Sequence, residues 1–272
     1  MSSIQDCAGS IARTGFGTIP MTATMMESYA LLVGGFSAIS EETKQSYCFV
    51  DDTDGFLPFG SEYAHVKTNP DLCERFCYWH SHVSRRQSHA FSKDCYLSVA
   101  MAYEREISSL AQGTIDGVCQ EFGAPSFPSI RDSSYLQLCV YSPSQLGNQR
   151  QFAQDPHEDG HLLTFIRPNL DGLVILRGRS VEPVRLLENE LAVLSGSLLT
   201  QLSDCAIPAI YHAVLNAHRP RKRSSLIYFV NPDRTETFVG LRRGQRVDLS
   251  TTMNDHHTGF GNRPIAHQPE KA

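Results

Sequence analysis

Between Ser134 and Val230 the chain is a succession of short apolar runs, each closed off by Gly, Pro, Asn or Asp. The runs cover residues 134–141 (SYLQLCVY), 161–167 (HLLTFIR), 172–178 (GLVILRG), 182–187 (EPVRLL), 191–196 (LAVLSG), 209–215 (AIYHAVL) and 224–230 (SSLIYFV). Strands this short and this closely spaced, with turn residues between them, predict an antiparallel sandwich or barrel. The first half has a different texture. Met21–Ser40 places apolar residues at helical spacing, and a Gly/Pro/Asp turn region follows at Asp51–Gly60. In Phe91–Phe122 the residues Tyr96, Val99, Tyr103, Ile107, Leu110, Ile115 and Val118 fall at three- and four-residue steps. Gly123 and Pro125 then supply a helix stop. The expected architecture is mainly β with helices: a helical or mixed region (1–130) packed outside a β-barrel core (131–240), with a C-terminal extension (241–272), all within one structural domain.

Composition narrows the partners. The chain has 272 residues, 41% hydrophobic and 19% charged, which is a globular composition with ample core. A net charge of −5 without a long basic run argues against a nucleic-acid partner. The strongest basic cluster is His218–Arg223. The N-terminus lacks the basic and apolar regions of a signal peptide, and no apolar run is long enough to span a membrane. The eight cysteines are scattered, so they read as reduced thiols of a cytoplasmic protein. Cys73 and Cys77 have helical spacing, but no second Cys/His pair of zinc-site type accompanies them. Nothing requires more than a monomer.

Two metal motifs are spelled over the same letters in Asp155–Phe165, DPHEDGHLLTF. One is H-E-x-x-H (His157, Glu158, His161), the zinc-hydrolase pattern. It requires a helix, where residues i and i+4 share a face. Pro156, Gly160 and the strand-like LLTFI oppose a helix, and in an extended segment the two histidines stand about 13 Å apart. The other is H-x-D. In an extended segment His157 and Asp159 project to one face. With a second histidine they would form the two-histidine, one-carboxylate site of non-haem Fe(II) oxygenases, and His212 is the best candidate. Eleven residues on, Arg223 and Ser225 open an apolar strand. An arginine with a hydroxyl two residues later on the same face is a clamp for a carboxylate.

The order His-x-Asp, His, Arg-x-Ser resembles the 2-oxoglutarate/Fe(II)-dependent dioxygenases, in particular the isopenicillin N synthase-like branch. HEDGHLLTFI is similar to that branch's H-T-D-x-x-x-L-T-x-L segment. The stretch from Gly172 to Leu215 follows its G-L-Q-V to H-R-V run, and GFLPFGSEY to CERFCYW is similar to its N-terminal half. The resemblance covers most of residues 14–235. It implies a double-stranded β-helix (jelly-roll, cupin-like) with N-terminal helices. It further implies iron ligands His157, Asp159 and His212, with Arg223, Ser225 and, more loosely, Tyr141 holding 2-oxoglutarate. The implied cofactors are Fe(II), 2-oxoglutarate and O2, with ascorbate helpful in vitro. The chain departs from the pattern at Ala213, at Ser197, in lacking a Trp before Pro183, and in most of the family's N-terminal strand. Asp159 disfavours halogenation, for which the relatives carry a small residue there.

The implied activity is oxidation of a small-molecule metabolite by hydroxylation, desaturation or cyclisation, in biosynthesis or tailoring of a secondary metabolite. In an oxidase reading like isopenicillin N synthase, the Arg-x-Ser pair would hold a substrate carboxylate and no 2-oxoglutarate would be used. A zinc hydrolase (His157, Glu158, His161) and a non-catalytic jelly-roll binding protein are the readings from other classes. Arg85 and Arg86, in a lid-like linker, could meet an anionic substrate or belong to a solvated loop.

Overall fold

The computed structural model describes residues 3–47, 54–63, 67–82, 95–142, 150–217, 222–233 and 235–259. Ser3 opens the first helix, α1 (Ile4–Thr14). Its hydroxyl accepts the Asp6 N–H at 3.1 Å, and the Asp6 carboxylate accepts the Ser3 N–H at 2.9 Å. This reciprocal cap satisfies donors that a helix start leaves open. Gly15 ends α1 at φ 74°, and a Cβ there would lie 2.4 Å from the Pro208 carbonyl, so only glycine fits. β1 (Phe16–Pro20) follows, then α2 (Ala23–Phe36) capped by Thr22, and α3 (Glu41–Ser46) capped by Ser40. Next come β2 (Gly55–Leu57), β3 (Glu74–Trp79) and the long helix α4 (Cys95–Glu121). α4 stops where Gly123 takes φ 67° and the Ala124 N–H reaches back to the Cys119 carbonyl.

The second half supplies β4 (Tyr135–Tyr141), β5 (Phe152–His157), β6 (Leu163–Pro168), β7 (Leu173–Arg177), β8 (Ser180–Pro183) and β9 (Glu190–Ser195). α5 (Ser197–Leu202), β10 (His212–Leu215), β11 (Arg223–Val230), β12 (Phe238–Val239), β13 (Arg246–Val247) and α6 (Ser250–Gly259) complete it. The main sheet has the order β1-β9-β6-β11-β4-β3-β2, and a second sheet the order β5-β10-β7-β8. β12 and β13 form a separate pair. The pairings in both larger sheets are antiparallel.

Side chains alternate across the main sheet, as the pleat dictates. On one face Phe76, Tyr78, Leu136, Leu138, Leu226 and Tyr228 share a core with Leu32, Phe36, Tyr103 and Ile107 of the helices. On the other, Cys139, Tyr141, Ile227 and Phe229 share a core with Leu173, Ile175 and Val214 of the second sheet. The two sheets thus face each other, with the helices outside. Strand register lines the inner residues up in ranks. Trp79, Tyr135, Phe229 and Thr164 form one; Cys77, Gln137, Ile227 and Ile166 the next; Arg75, Cys139, Ser225 and Pro168 a third; Tyr141 and Arg223 stand beyond.

The structure corrects several expectations. The first half is less helical than its pattern predicts, because β1, β2 and β3 all enter the main sheet. β1 pairs with β9 along its whole length, so an N-terminal strand is present. Cys77 lies within β3, so the helical spacing of Cys73 and Cys77 has no helix behind it. In the run 182–187 only Glu182 and Pro183 are strand, paired to β7 in β8. β5 stops at His157, so His157 and Asp159 do not share one extended strand; Asp159 sits in the turn leading to β6. No described helix is long and apolar enough to cross a membrane.

Candidate metal centre

His157 closes β5 and His212 opens β10, and the register pairs the two directly. Their rings are 4.5 Å apart between centroids. The turn after β5 brings Asp159 between them: Oδ1 lies 3.6 Å from His157 Nε2, and Oδ2 lies 3.6 Å from His212 Nε2. All three side chains are buried, and one ligand atom from each lies within 4.8 Å of the others. It is the single such group among the described residues.

The surrounding bonds aim these atoms. His157 Nδ1 donates to the Asp155 carbonyl at 2.7 Å, and His212 Nδ1 to the Ile210 carbonyl at 3.2 Å. A carbonyl can only accept, so in each neutral ring the lone pair is on Nε2, facing Asp159. Thr164 Oγ1 donates to Asp159 Oδ2 at 2.6 Å, which orients the carboxylate from the main sheet. The Asp159 carbonyl accepts the Ser197 N–H at 2.9 Å, pinning the turn to the start of α5. Gly196 permits this approach: a Cβ there would be 2.2 Å from the His161 carbonyl and 2.5 Å from that of Asp159.

Charge follows the same geometry. Burial alone would raise the Asp159 carboxyl, but the flanking imidazoles outweigh it and hold the group below the usual carboxylate range. Burial pushes His212 down to about 4, and the neighbouring His157 adds to the effect. In His157 burial pulls downward too, yet the Asp159 carboxylate lifts the ring above the ordinary imidazole value. Two ring nitrogens and a carboxylate oxygen, buried and convergent, are a donor set suited to a divalent iron ion.

Arg223 lies on the inner face of the main sheet, fully buried. Its Nη1 donates to Ser225 Oγ at 2.9 Å and its Nε to the Asp171 carbonyl at 3.4 Å. The guanidinium carbon is 5.1 Å from the centre of the Tyr141 ring, whose hydroxyl donates to Gln154 Oε1 at 3.1 Å. The three residues named as a clamp are therefore one cluster.

His161 is not part of the metal group. Its Nδ1 is 2.7 Å from Asn231 Oδ1, and its ring packs against Phe229 and Tyr135. The H-E-x-x-H geometry is absent among the described residues, because the segment is strand end and turn instead of helix. Arg85 and Arg86 lie outside the described residues. Sequence reasoning missed Gly196 and Asn231. Thr164 stood in the L-T of the resembling segment, but its bond to Asp159 was not visible there.

No protein-family model matches the chain, and no curated protein matches its sequence. Solved structures do match in shape. A full-length Neurospora crassa protein, crystallised in complex with alpha-KG and 5-formyluracil, superposes with a TM-score of 0.74 at 16% identity, covering 95% of this chain and 90% of its own. A 2OG-Fe(II) oxygenase family protein from Caulobacter crescentus gives 0.75 at 18% identity, covering 94% of this chain and 93% of its own. The rice dioxygenase for auxin oxidation gives 0.72 at 16% identity, covering 96% and 91% respectively. The chain therefore has the jelly-roll fold of the 2-oxoglutarate/Fe(II) oxygenases.

Proposed function

We propose that the chain is a non-haem Fe(II)/2-oxoglutarate-dependent oxygenase acting on a small molecule, in the biosynthesis or tailoring of a secondary metabolite. One observation carries this reading: a buried His–Asp–His cluster and a buried Arg–Ser pair both lie in the enclosure between the two sheets. Neighbours in shape support it, since the Neurospora crassa protein is crystallised with alpha-KG and, in a further structure, with thymine as well.

In this reading His157, Asp159 and His212 hold Fe(II), which supplies the O2 and electron-transfer chemistry when bound. The protein's residues do the positioning. The backbone carbonyls of Asp155 and Ile210 keep each Nε2 lone pair available, and Thr164 fixes the carboxylate. Arg223 and Ser225 receive the distal carboxylate of 2-oxoglutarate, with Tyr141 packed against the guanidinium. Burial of both groups keeps bulk water from the reacting centre.

The test needs no knowledge of the substrate. Purified protein with Fe(II), ascorbate, O2 and 2-oxoglutarate should form succinate, and His212→Ala and Asp159→Ala should abolish it. Iron bound without succinate formation would favour the oxidase reading. Activity that follows Zn(II) and needs Glu158 and His161 would replace both.

A further inference from the structure

The inner face of the main sheet carries a second group of side chains that the chemistry above does not use. The rank of Trp79, Tyr135 and Phe229 ends at Thr164, which bonds to Asp159, so this rank is level with the metal centre. Trp79 and Tyr135 stack with centroids 4.3 Å apart and 14° between planes. Phe229 lies 4.9 Å from Tyr135, and His161 packs on Phe229 at 4.3 Å. These aromatics alone could be ordinary core.

The neighbouring ranks are what point to a ligand. Gln137 is 5% exposed, yet among the described residues its amide meets only sulfur: the Cys77 thiol donates to Oε1 at 3.4 Å, and Nε2 donates to Cys139 Sγ at 3.3 Å. Sulfur is a weak partner, so a buried N–H and a carbonyl lone pair remain available. One rank on, Arg75 is 1% exposed between two carboxylates, with Nη2 2.5 Å from Asp71 and Nε 2.9 Å from Glu62. Its Nη1 has no hydrogen-bond partner among the described residues. The segment leading into β3 is bonded to β5, the strand that ends in His157, through Leu72 to Ala153 and Asn69 to Asp155.

We infer that Trp79, Tyr135, Gln137 and Arg75 form the prime-substrate subsite, and that it takes a neutral planar ring bearing an amide edge, a ring N–H beside a carbonyl. This rests on the proposed function. The aromatic rank offers a flat face for a conjugated ring. A glutamine amide matches an N–H/C=O edge with two parallel hydrogen bonds, and Arg75 Nη1 adds a donor for a ring carbonyl. Asp71 and Glu62 already offset the arginine's charge, so a carboxylate ligand would meet two like charges there.

Trp79 is the chain's single tryptophan, so its emission reads this subsite. The experiment titrates uracil, 1,3-dimethyluracil (both N–H groups blocked) and benzoate (a planar anion) anaerobically into protein holding Fe(II) and 2-oxoglutarate. Uracil should quench the emission saturably, with the other two binding roughly tenfold or more weakly. Gln137→Leu should bring uracil to the level of dimethyluracil. Gln137→Glu, which keeps the size and replaces the donor, should do the same and serves if the leucine variant does not fold. Equal affinity for the three probes, no quenching by uracil, or unchanged affinity in a folded Gln137 variant overturns the inference. Succinate formation without prime substrate is measured on the same preparation. If it persists while uracil fails, this inference alone falls; if it is absent in the wild type, the proposed function falls with it.

Discussion

Arg223 is a planar fork set by its neighbours: Ser225 holds one arm, the Asp171 carbonyl accepts from Nε, and the Tyr141 ring lies close by. Lysine would keep the charge and lose the fork. Arg223→Lys should raise the KM for 2-oxoglutarate about tenfold or more, equivalent to about 1.5–3 kcal/mol for a charge-assisted pair. Metal affinity, measured by calorimetry, should stay unchanged. The histidines divide a different task. His212, pushed down to about 4, is neutral at pH 7 and ready to bind a metal. His157, lifted by Asp159, is the ring that carries the competing proton. A raised value means the protonated form persists to higher pH than for an ordinary imidazole, so metal affinity should fall as pH is lowered from the alkaline side. Calorimetry in two buffers of different ionisation heat should detect proton release on binding.

Elements bring these residues together, and one tight junction is where β9 turns into α5. Gly196→Ala places a Cβ against the carbonyls of Asp159 and His161, which are backbone and cannot rotate away. The turn must shift, and metal affinity should drop about tenfold or more while far-UV circular dichroism stays near wild type. α4 acts at longer range. Its buried stripe, including Ile107, Ala111 and Ile115, backs the main sheet, so Ile115→Ala should cost about 2–5 kcal/mol in urea unfolding. The same comparison shows what one dimension can reveal. β4, β6, β9 and β11 are legible because apolar runs end in turn residues. β3 and β5 are not, since their inner faces carry Arg75 and Cys77 or their run contains Gln154, Asp155 and Pro156. His157, Asp159 and His212 could be found because ligand chemistry restricts the residue types. Thr164 and Gly196 could not, because each acts through a neighbour on another strand or turn.

Across the whole molecule the metal centre bridges two layers. His157 and His212 belong to the second sheet, and Asp159 is bonded to Thr164 of the main sheet. An ion bound there stabilises only the folded arrangement. At a hundred times Kd it should add about 2.7 kcal/mol, a rise of roughly 5 °C in Tm for a chain of this size. Scanning calorimetry with and without Fe(II) or Mn(II) under argon checks this, and Asp159→Asn should remove the rise. The enclosure between the layers also contains sulfur. Cys73 and Cys139 share its core with Ile227 and Phe229, and Cys77 stands in the Gln137 rank. Burial lifts the Cys73 and Cys77 thiols well above the usual range, which leaves them unreactive toward reagents arriving from solvent. Under the proposed function, a turnover that begins without a prime substrate would end on these walls, and the catalyst would age by idle cycles more than by hours on the bench, each misfire written into it as oxygen on a buried sulfur.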